Sequence, residues 1–331
     1  MKAVIMRAVV MREFGPPGVL QPAEVDEVAA APGEVVIDVE LCGVTFVETQ
    51  IRAGRPPRRE MLPALPAILG NGVGGVIAEV GAGVDAAMIG RRVVAGLNGT
   101  GGYARRAVAA SQQLTEVPES VALRDAVALL ADGRTALSLV GRAQLTAGQT
   151  VLVEAAAGGV GTLLVQLAQN AGARVVALAG ELPGQRKLAL ARQLGAYVAV
   201  DYTAADWPER VREAVGSVDV VFDGVGGDIG GAAFGLLGPG GRFCPFGMAS
   251  GSFAPVTPDL ARERNVTIVF GAAVSPAENA ALVRAALAQT AAGRLRPVIG
   301  QELELERAAD AHAAIEARAT TGKTLLAVTG H

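Results

Sequence analysis

Three glycines close together invite a question about what lies against them. The run Glu154-Ala155-Ala156-Ala157-Gly158-Gly159-Val160-Gly161 follows the apolar segment Thr150–Val153 and precedes a stretch with helical spacing of apolar residues. Strand, glycine turn and helix in that order make a cradle for phosphate. Aligned to G-x-G-x-x-G, the positions are Ala156, Gly158 and Gly161. At Gly158 the backbone can approach a pyrophosphate, and at Gly161 the helix can pack close to the sheet. The helix start then offers unpaired N–H groups and a positive dipole end. Ala156 in place of the first glycine is tolerable if that turn needs no positive φ. A plain tight turn would use the same glycines; the βα units that follow favour a dinucleotide.

The second unit bears on which dinucleotide. An NAD site places Asp or Glu at the end of the next strand to bind the ribose 2′-hydroxyl. Here that strand, "RVVALA", ends on Ala179 and is followed by Gly180. The loop beyond carries Arg186 and Lys187, whose cations suit a 2′-phosphate, although Glu181 argues the other way. The expectation is NADPH, with NADH less favoured.

Positioning such a loop takes a sheet. Up to about residue 125 the chain alternates strand-like segments such as "EVVIDVELCGV" and "GGVIAEVG" with Gly/Pro turns. From about 126 the rhythm changes to short buried strands alternating with helices, the pattern of βαβ units and a parallel sheet. After 272 a long helix leads to a strand-rich tail resembling the first region in texture. The expected architecture is α/β: a discontinuous, mostly-β domain, 1–125 with 272–331, and an inserted doubly wound domain, 126–271.

Composition narrows the classes. Apolar residues are 51% and charged residues 18%, enough for a sizeable core. A net charge of −3 provides no basic field for nucleic acid. Cys42 and Cys244, far apart, exclude a disulfide framework and fit a reducing cytoplasm. No apolar run is long enough to suggest a membrane span, and no signal-peptide layout opens the chain. Met6 serves as well as Met1 for a natural start.

The segments "CGVTFVETQIRAG", "AAAGGVGTLLVQLAQNAGARVVA", "VDVVFDGVGG" and "GRFCPFGMASG" resemble the medium-chain dehydrogenase/reductase superfamily, in its zinc-free quinone oxidoreductase branch, which includes zeta-crystallin. The resemblance runs nearly end to end. It implies a GroES-like catalytic domain, a Rossmann domain, a cleft between them, and a homodimer through the edge strand at 265–272. It also implies cofactor contacts: Thr135 near the nicotinamide, Gly158, Gly159 and Val160 on the pyrophosphate, Lys187 and Tyr202 toward the adenosine 2′-phosphate, Phe246 and Gly247 at the nicotinamide half. "RATTGK" matches a stretch that closes over the cofactor, with no sharp role for Arg318 or Lys323. The branch often has Ser and Thr after the second strand; here Gly180 and Glu181 stand there.

The alcohol dehydrogenase branch holds catalytic zinc through Cys, His and Cys. The matching positions here are Thr45, Asn71 and Asp132, poor ligands for that metal. His312 and His331 lie in the tail, so no metal site and no Ser/His/Asp triad is expected. Zinc-free hydride transfer calls for an acceptor that is already activated, a quinone or an α,β-unsaturated carbonyl. The negative charge that develops needs hydrogen-bond donors. Where the branch offers Asn and Tyr, this chain has Thr45 and Gln50. Thr45 and Gln50 can donate, and the proton is expected from water or from Tyr103, provided Tyr103 faces the cleft. Arg55, Arg58 and Arg59 read as a solvated loop, and both cysteines as small buried hydrophobes. Two other readings stay open: a biosynthetic reductase or dehydrogenase of another carbonyl, and an NADPH-binding sensor or crystallin-like protein without useful turnover.

Overall fold

The computed structural model describes residues 5–180, 186–271 and 275–328. Two compact units emerge, Met1–Ala131 with Ser275–His331, and Asp132–Val274.

The first unit begins with β1 (Ile5–Met11), β2 (Leu20–Asp26), β3 (Glu34–Val44) and the short helix α1 (Phe46–Arg52). It continues through β4 (Ala67–Ile68), β5 (Gly72–Val80), β6 (Arg92–Gly96), β7 (Arg106–Ala110) and β8 (Leu114–Glu116) into helix α2 (Leu123–Ala143). The strands form a three-stranded sheet, β2-β1-β4, and a larger sheet in which β3 is the hub, paired with β5 and β7. Its core holds Val35, Ile37, Val73, Ile77 and Leu69. Glycines in β5 let the start of α2 lie against that strand: a Cβ at Gly74 would stand 2.4 Å from Val127 Cγ2. This explains why the division at Ala131 falls inside α2 rather than at its start near 125, where the sequence texture changes.

The second unit runs β9 (Thr150–Val153), α3 (Gly159–Asn170), β10 (Arg174–Ala179), α4 (Lys187–Gln193), β11 (Val198–Asp201), α5 (Trp207–Val215), β12 (Val218–Asp223), α6 (Gly227–Phe234), β13 (Leu237–Pro245), α7 (Pro258–Glu263) and β14 (Thr267–Ile268). Every pairing is parallel, in the order β11-β10-β9-β12-β13-β14. That is the doubly wound dinucleotide-binding order, with the strand direction of winding reversing between β9 and β12. Val151, Leu152 and Val153 are fully buried, as a central parallel strand requires. One face is filled by Trp207, Val211, Phe234 and Phe243, the last two ring to ring at 5.5 Å.

The chain returns to the first unit through α8 (Pro276–Ala291), β15 (Ile299–Glu304), α9 (Ala308–Glu316) and β16 (Lys323–Ala327). β16 completes the larger sheet, antiparallel to β3 and parallel to β15.

The α/β class and the mixed architecture agree with expectation. The differences are local. Helix α1 is absent from the sequence reading because Val47, Thr49 and Ile51 alternate like a strand. Its sign is the Thr45-x-x-Glu48 capping box, which closes fully. The expected edge strand at 265–272 is only Thr267–Ile268, and Ala272 lies outside the described residues, as do Met1, Glu181 and His331. Among the described residues no helix is long and apolar enough to cross a membrane.

Candidate dinucleotide-binding edge and the polar cluster of the first unit

In the second unit the carboxyl ends of the strands gather most of the singled-out residues. Helix α3 starts at Gly159 with Gly158 as its N-cap, in extended conformation at φ −82°. No side chain caps it, so the first amides, those of Gly159, Val160 and Gly161, point beyond the helix end. Glycine is obligatory at Gly161, where the clash is with backbone, and close-packed at Gly159, where it is with a side-chain end. A Cβ on Gly161 would lie 2.2 Å from the Ala155 carbonyl oxygen, and one on Gly159 would lie 2.0 Å from Asp132 Oδ2. Ala156, the substituted first glycine, is fully buried, and its amide donates to the Leu178 carbonyl of β10. The residue forced into left-handed backbone is its neighbour Ala155, at φ 47°. An alanine there costs roughly 1 kcal/mol, so the turn does need positive φ, one position earlier than the alignment suggests.

β10 ends at Ala179, followed by Gly180; Glu181, the next residue, lies outside the described residues. Gly180 lies against Tyr202: a Cβ would stand 3.0 Å from its ring. Lys187 opens α4 and is buried, while Arg186 beside it is exposed. Across the sheet, the Phe246 amide and the Gly247 amide both donate to the Asp223 carbonyl, at 2.8 and 3.2 Å. The Phe246 ring covers Gly224, where a Cβ would be 2.6 Å from Cζ. Thr135, partly buried, sits on the part of α2 belonging to this unit.

Sequence reasoning missed two acids here. The register sets Val153 of β9 beside Phe222 of β12, so Glu154 and Asp223 follow side by side at the point where the winding reverses. Both are fully buried. Glu154 Oε2 and Asp223 Oδ1 accept from the Val225 amide at 3.0 and 3.2 Å, and Oδ1 also from the Gly226 amide at 2.6 Å. Burial, and then the neighbouring Asp223 carboxylate, raise the Glu154 pKa well above the carboxylate range. The signal was available as two acids at the ends of adjacent strands, but only the strand order makes them neighbours.

The catalytic candidates of the first unit have a different fate. Thr45 caps α1; its hydroxyl donates to Glu48 Oε2 at 2.8 Å and accepts weakly from the Glu48 amide. Gln50 turns its amide onto Thr49 Oγ1 at 3.1 Å. Tyr103 corrects the expectation of a proton donor facing a cleft. It is fully buried, with its hydroxyl 3.0 Å from His312 Nε2. Burial, with Glu48 and Cys42 alongside, pushes the phenol pKa far up, so it holds its proton. His312, seen in sequence only as a tail residue, is thus drawn into the core. Burial and the nearby Arg52 cation lower its pKa to about 3, and Nδ1 has no partner among the described residues. Arg52, itself buried, pairs with Glu316.

Glu48 organises this cluster. Its carboxylate takes the Thr45 amide at 2.6 Å and the Asn71 amide at 2.8 Å. Burial raises its pKa, opposed by those two amides and by Lys323, which is buried at the start of β16. Asn71 in turn accepts from the Gly99 amide at 2.7 Å. The three positions matching zinc ligands are therefore a helix cap, a loop staple and a carboxylate against Gly159. They offer neither thiolate nor imidazole and do not fit zinc. Among the described residues no group of three or more His, Cys, Asp or Glu could hold a metal ion. Cys42 and Cys244 are buried and unbridged; burial raises both thiols, Cys244 to about 12.

Comparison with known proteins agrees with this architecture. The family "Alcohol dehydrogenase GroES-like domain" matches residues 31–119, and "Zinc-binding dehydrogenase" matches residues 194–326. The bovine (Bos taurus) quinone oxidoreductase-like protein 2 is 35% identical over 97% of this chain and 92% of its own. The Escherichia coli quinone oxidoreductase, solved in complex with NADPH, superposes with a TM-score of 0.88 at 27% identity, covering 97% of this chain and 99% of that one. A structure titled NAD-dependent alcohol dehydrogenase gives 0.86 at 30% identity, covering 98% of this chain and 100% of that one. The chain belongs to the quinone oxidoreductase branch of the medium-chain dehydrogenase/reductase superfamily.

Proposed function

We propose that this chain is an NADPH-dependent oxidoreductase that delivers hydride to a quinone or an α,β-unsaturated carbonyl without zinc. The observation that carries the cofactor choice is the end of β10: neither Ala179 nor Gly180 carries a carboxylate for a ribose 2′-hydroxyl, Tyr202 packs against Gly180, and Lys187 opens the next helix. The relatives named quinone oxidoreductase, one of them solved with NADPH, support the same reading.

When bound, the nicotinamide supplies the hydride. The chain's part is to hold and orient. The first amides of α3 receive the pyrophosphate, and Lys187 and Tyr202 receive the 2′-phosphate side. Phe246 and Gly247, fixed on the Asp223 carbonyl, and Thr135 line the nicotinamide half. Charge developing on the substrate oxygen is met by hydrogen-bond donors, and Gln50 is the candidate because its Nε2 carries a second hydrogen beyond the one given to Thr49 Oγ1. Thr45 and Tyr103 have their hydroxyls engaged elsewhere, so water brings the proton. The reading includes a cytoplasmic homodimer joined at the sheet edge formed by β14.

The test is acceptor-dependent NADPH oxidation by purified protein with an ortho-quinone and with a linear enone, each with and without a chelator. Turnover unaffected by the chelator is expected. Turnover lost with the chelator would overturn the zinc-free reading. Tight NADPH binding with no turnover across a broad acceptor panel would favour a binding protein.

A further inference from the structure

The most unusual chemistry in the molecule is the Glu154–Asp223 pair. Two carboxyl groups, both fully buried, stand side by side at the ends of β9 and β12. Two of their four oxygens accept backbone amides; the other two, Glu154 Oε1 and Asp223 Oδ2, have no hydrogen-bond donor among the described residues. Two carboxylates buried side by side at adjacent strand ends cannot both stay ionised, and an orphaned buried oxygen is costly. One proton removes both problems, because a protonated carboxyl donates to the carboxylate beside it.

The surroundings supply no alternative. Asp223 is the one group whose charge acts on Glu154 among the described residues. On β12, Asp219 is occupied with the Thr150 amide at 2.7 Å. On β13, Arg242 donates to the Ala143 and Gln144 carbonyls, and Cys244 is neutral. Helix α6 contributes Gly230, where a Cβ would stand 2.8 Å from Asp223 Oδ2, and carries its only acid, Asp228, in its first turn.

What the pair holds is the turn after β12. Val225 N–H is shared between both acids, Gly226 N–H goes to Asp223, and the turn passes through positive φ at Gly226 and Gly227. The same turn carries Gly224, on which Phe246 rests, and the Val225 carbonyl, which accepts from Ser250 at 2.8 Å. We propose that Glu154 and Asp223 share one proton and act as a clasp, fixing the Gly224–Gly226 turn and the Phe246–Gly247 segment in the shape the cofactor requires. Both are positioning residues, and this role rests on the NADPH reading above.

The test has two arms, run on the whole protein. The first follows thermal unfolding from about pH 5 to about pH 9.5 for wild type, Glu154→Gln and Asp223→Asn. The folded Glu154 pKa lies above its unfolded value, so its favourable contribution is full below the unfolded pKa and is lost as pH rises. Wild type should therefore lose stability relative to Glu154→Gln as pH rises, because glutamine keeps a donor and carries no charge; Asp223→Asn leaves Glu154 buried and titratable, so it should keep a weaker pH dependence than wild type. The second arm titrates NADPH by fluorescence over the same range. Wild-type affinity should fall about tenfold as the proton leaves, Glu154→Gln should stay flat, and Asp223→Asn should fall less than wild type. Parallel stability profiles would overturn the shared proton. Superimposable affinity profiles, with diverging stability, would overturn the positioning role and leave a purely structural pair. No binding of NADPH or NADH at any pH would remove the NADPH reading and the positioning role together, while the stability arm would still decide the shared proton.

Discussion

The second unit brings its motif residues together at the carboxyl ends of neighbouring strands, whereas the first unit ties its candidate catalytic residues into helix caps and core hydrogen bonds. Gly158, Gly161, Gly180, Tyr202 and Phe246 lie where backbone geometry puts them, and close approaches enforce several of them. Thr45, Gln50 and Tyr103 instead spend their polar atoms on Glu48, Thr49 and His312. The difference teaches that a glycine's role follows from the turn it must make, while a hydroxyl's role depends on which neighbour reaches it first.

The sharpest way to break this contrast is Gly161→Ala. Its Cβ would meet the Ala155 carbonyl, which is backbone and cannot swing aside. Overpacking of about 3 kcal/mol in unfolding free energy is expected, and the displaced start of α3 should lower NADPH affinity in a fluorescence titration. Retained affinity would mean the α3 start does not hold the pyrophosphate.

Tyr103→Phe probes the other unit. It leaves His312 with neither ring nitrogen partnered, at a cost of about 2 kcal/mol in unfolding free energy. Turnover per folded molecule should not change. A collapse of kcat without loss of stability would restore Tyr103 as the acid. The same pair gives acid sensitivity with a definite sign. His312 is depressed to about 3 in the fold. Its contribution is present above the unfolded histidine range, about pH 6.5, and is lost as pH falls toward the folded value. His312→Gln should flatten the denaturation profile over that interval.

Thr45→Ala removes the cap of α1 and should lower stability by about 1 kcal/mol, with kcat reduced less than twofold, or roughly 0.4 kcal/mol. The smallest effect is expected at Ala155→Gly. Relieving the left-handed strain should raise stability by about 0.5 kcal/mol without changing cofactor affinity.

Much of the fold was legible. The βα alternation, the glycine turn after β9 and the Val-rich central strands follow from periodicity and punctuation. Helix α1 was not, because its seven residues alternate like a strand and only the capping box betrays it. The site was legible where glycines mark it, since spacing alone carries that information. Ala155 was not, because alignment to a motif points one residue too far along. The Glu154–Asp223 pair and the Tyr103–His312 contact were invisible for a common reason. Their partners lie 69 and 209 residues apart, and only the strand order and the return of the C-terminal segment bring them together.

The measurement that tests the account most directly is the paired titration of the purified chain with NADPH and with NADH, in parallel with Lys187→Ala. The account predicts NADPH bound at least about tenfold more tightly, or roughly 1.4 kcal/mol, with that margin largely lost in the variant. Equal affinities in wild type, or a preference for NADH, would contradict the reading of Ala179, Gly180 and Lys187 on which the proposed chemistry stands.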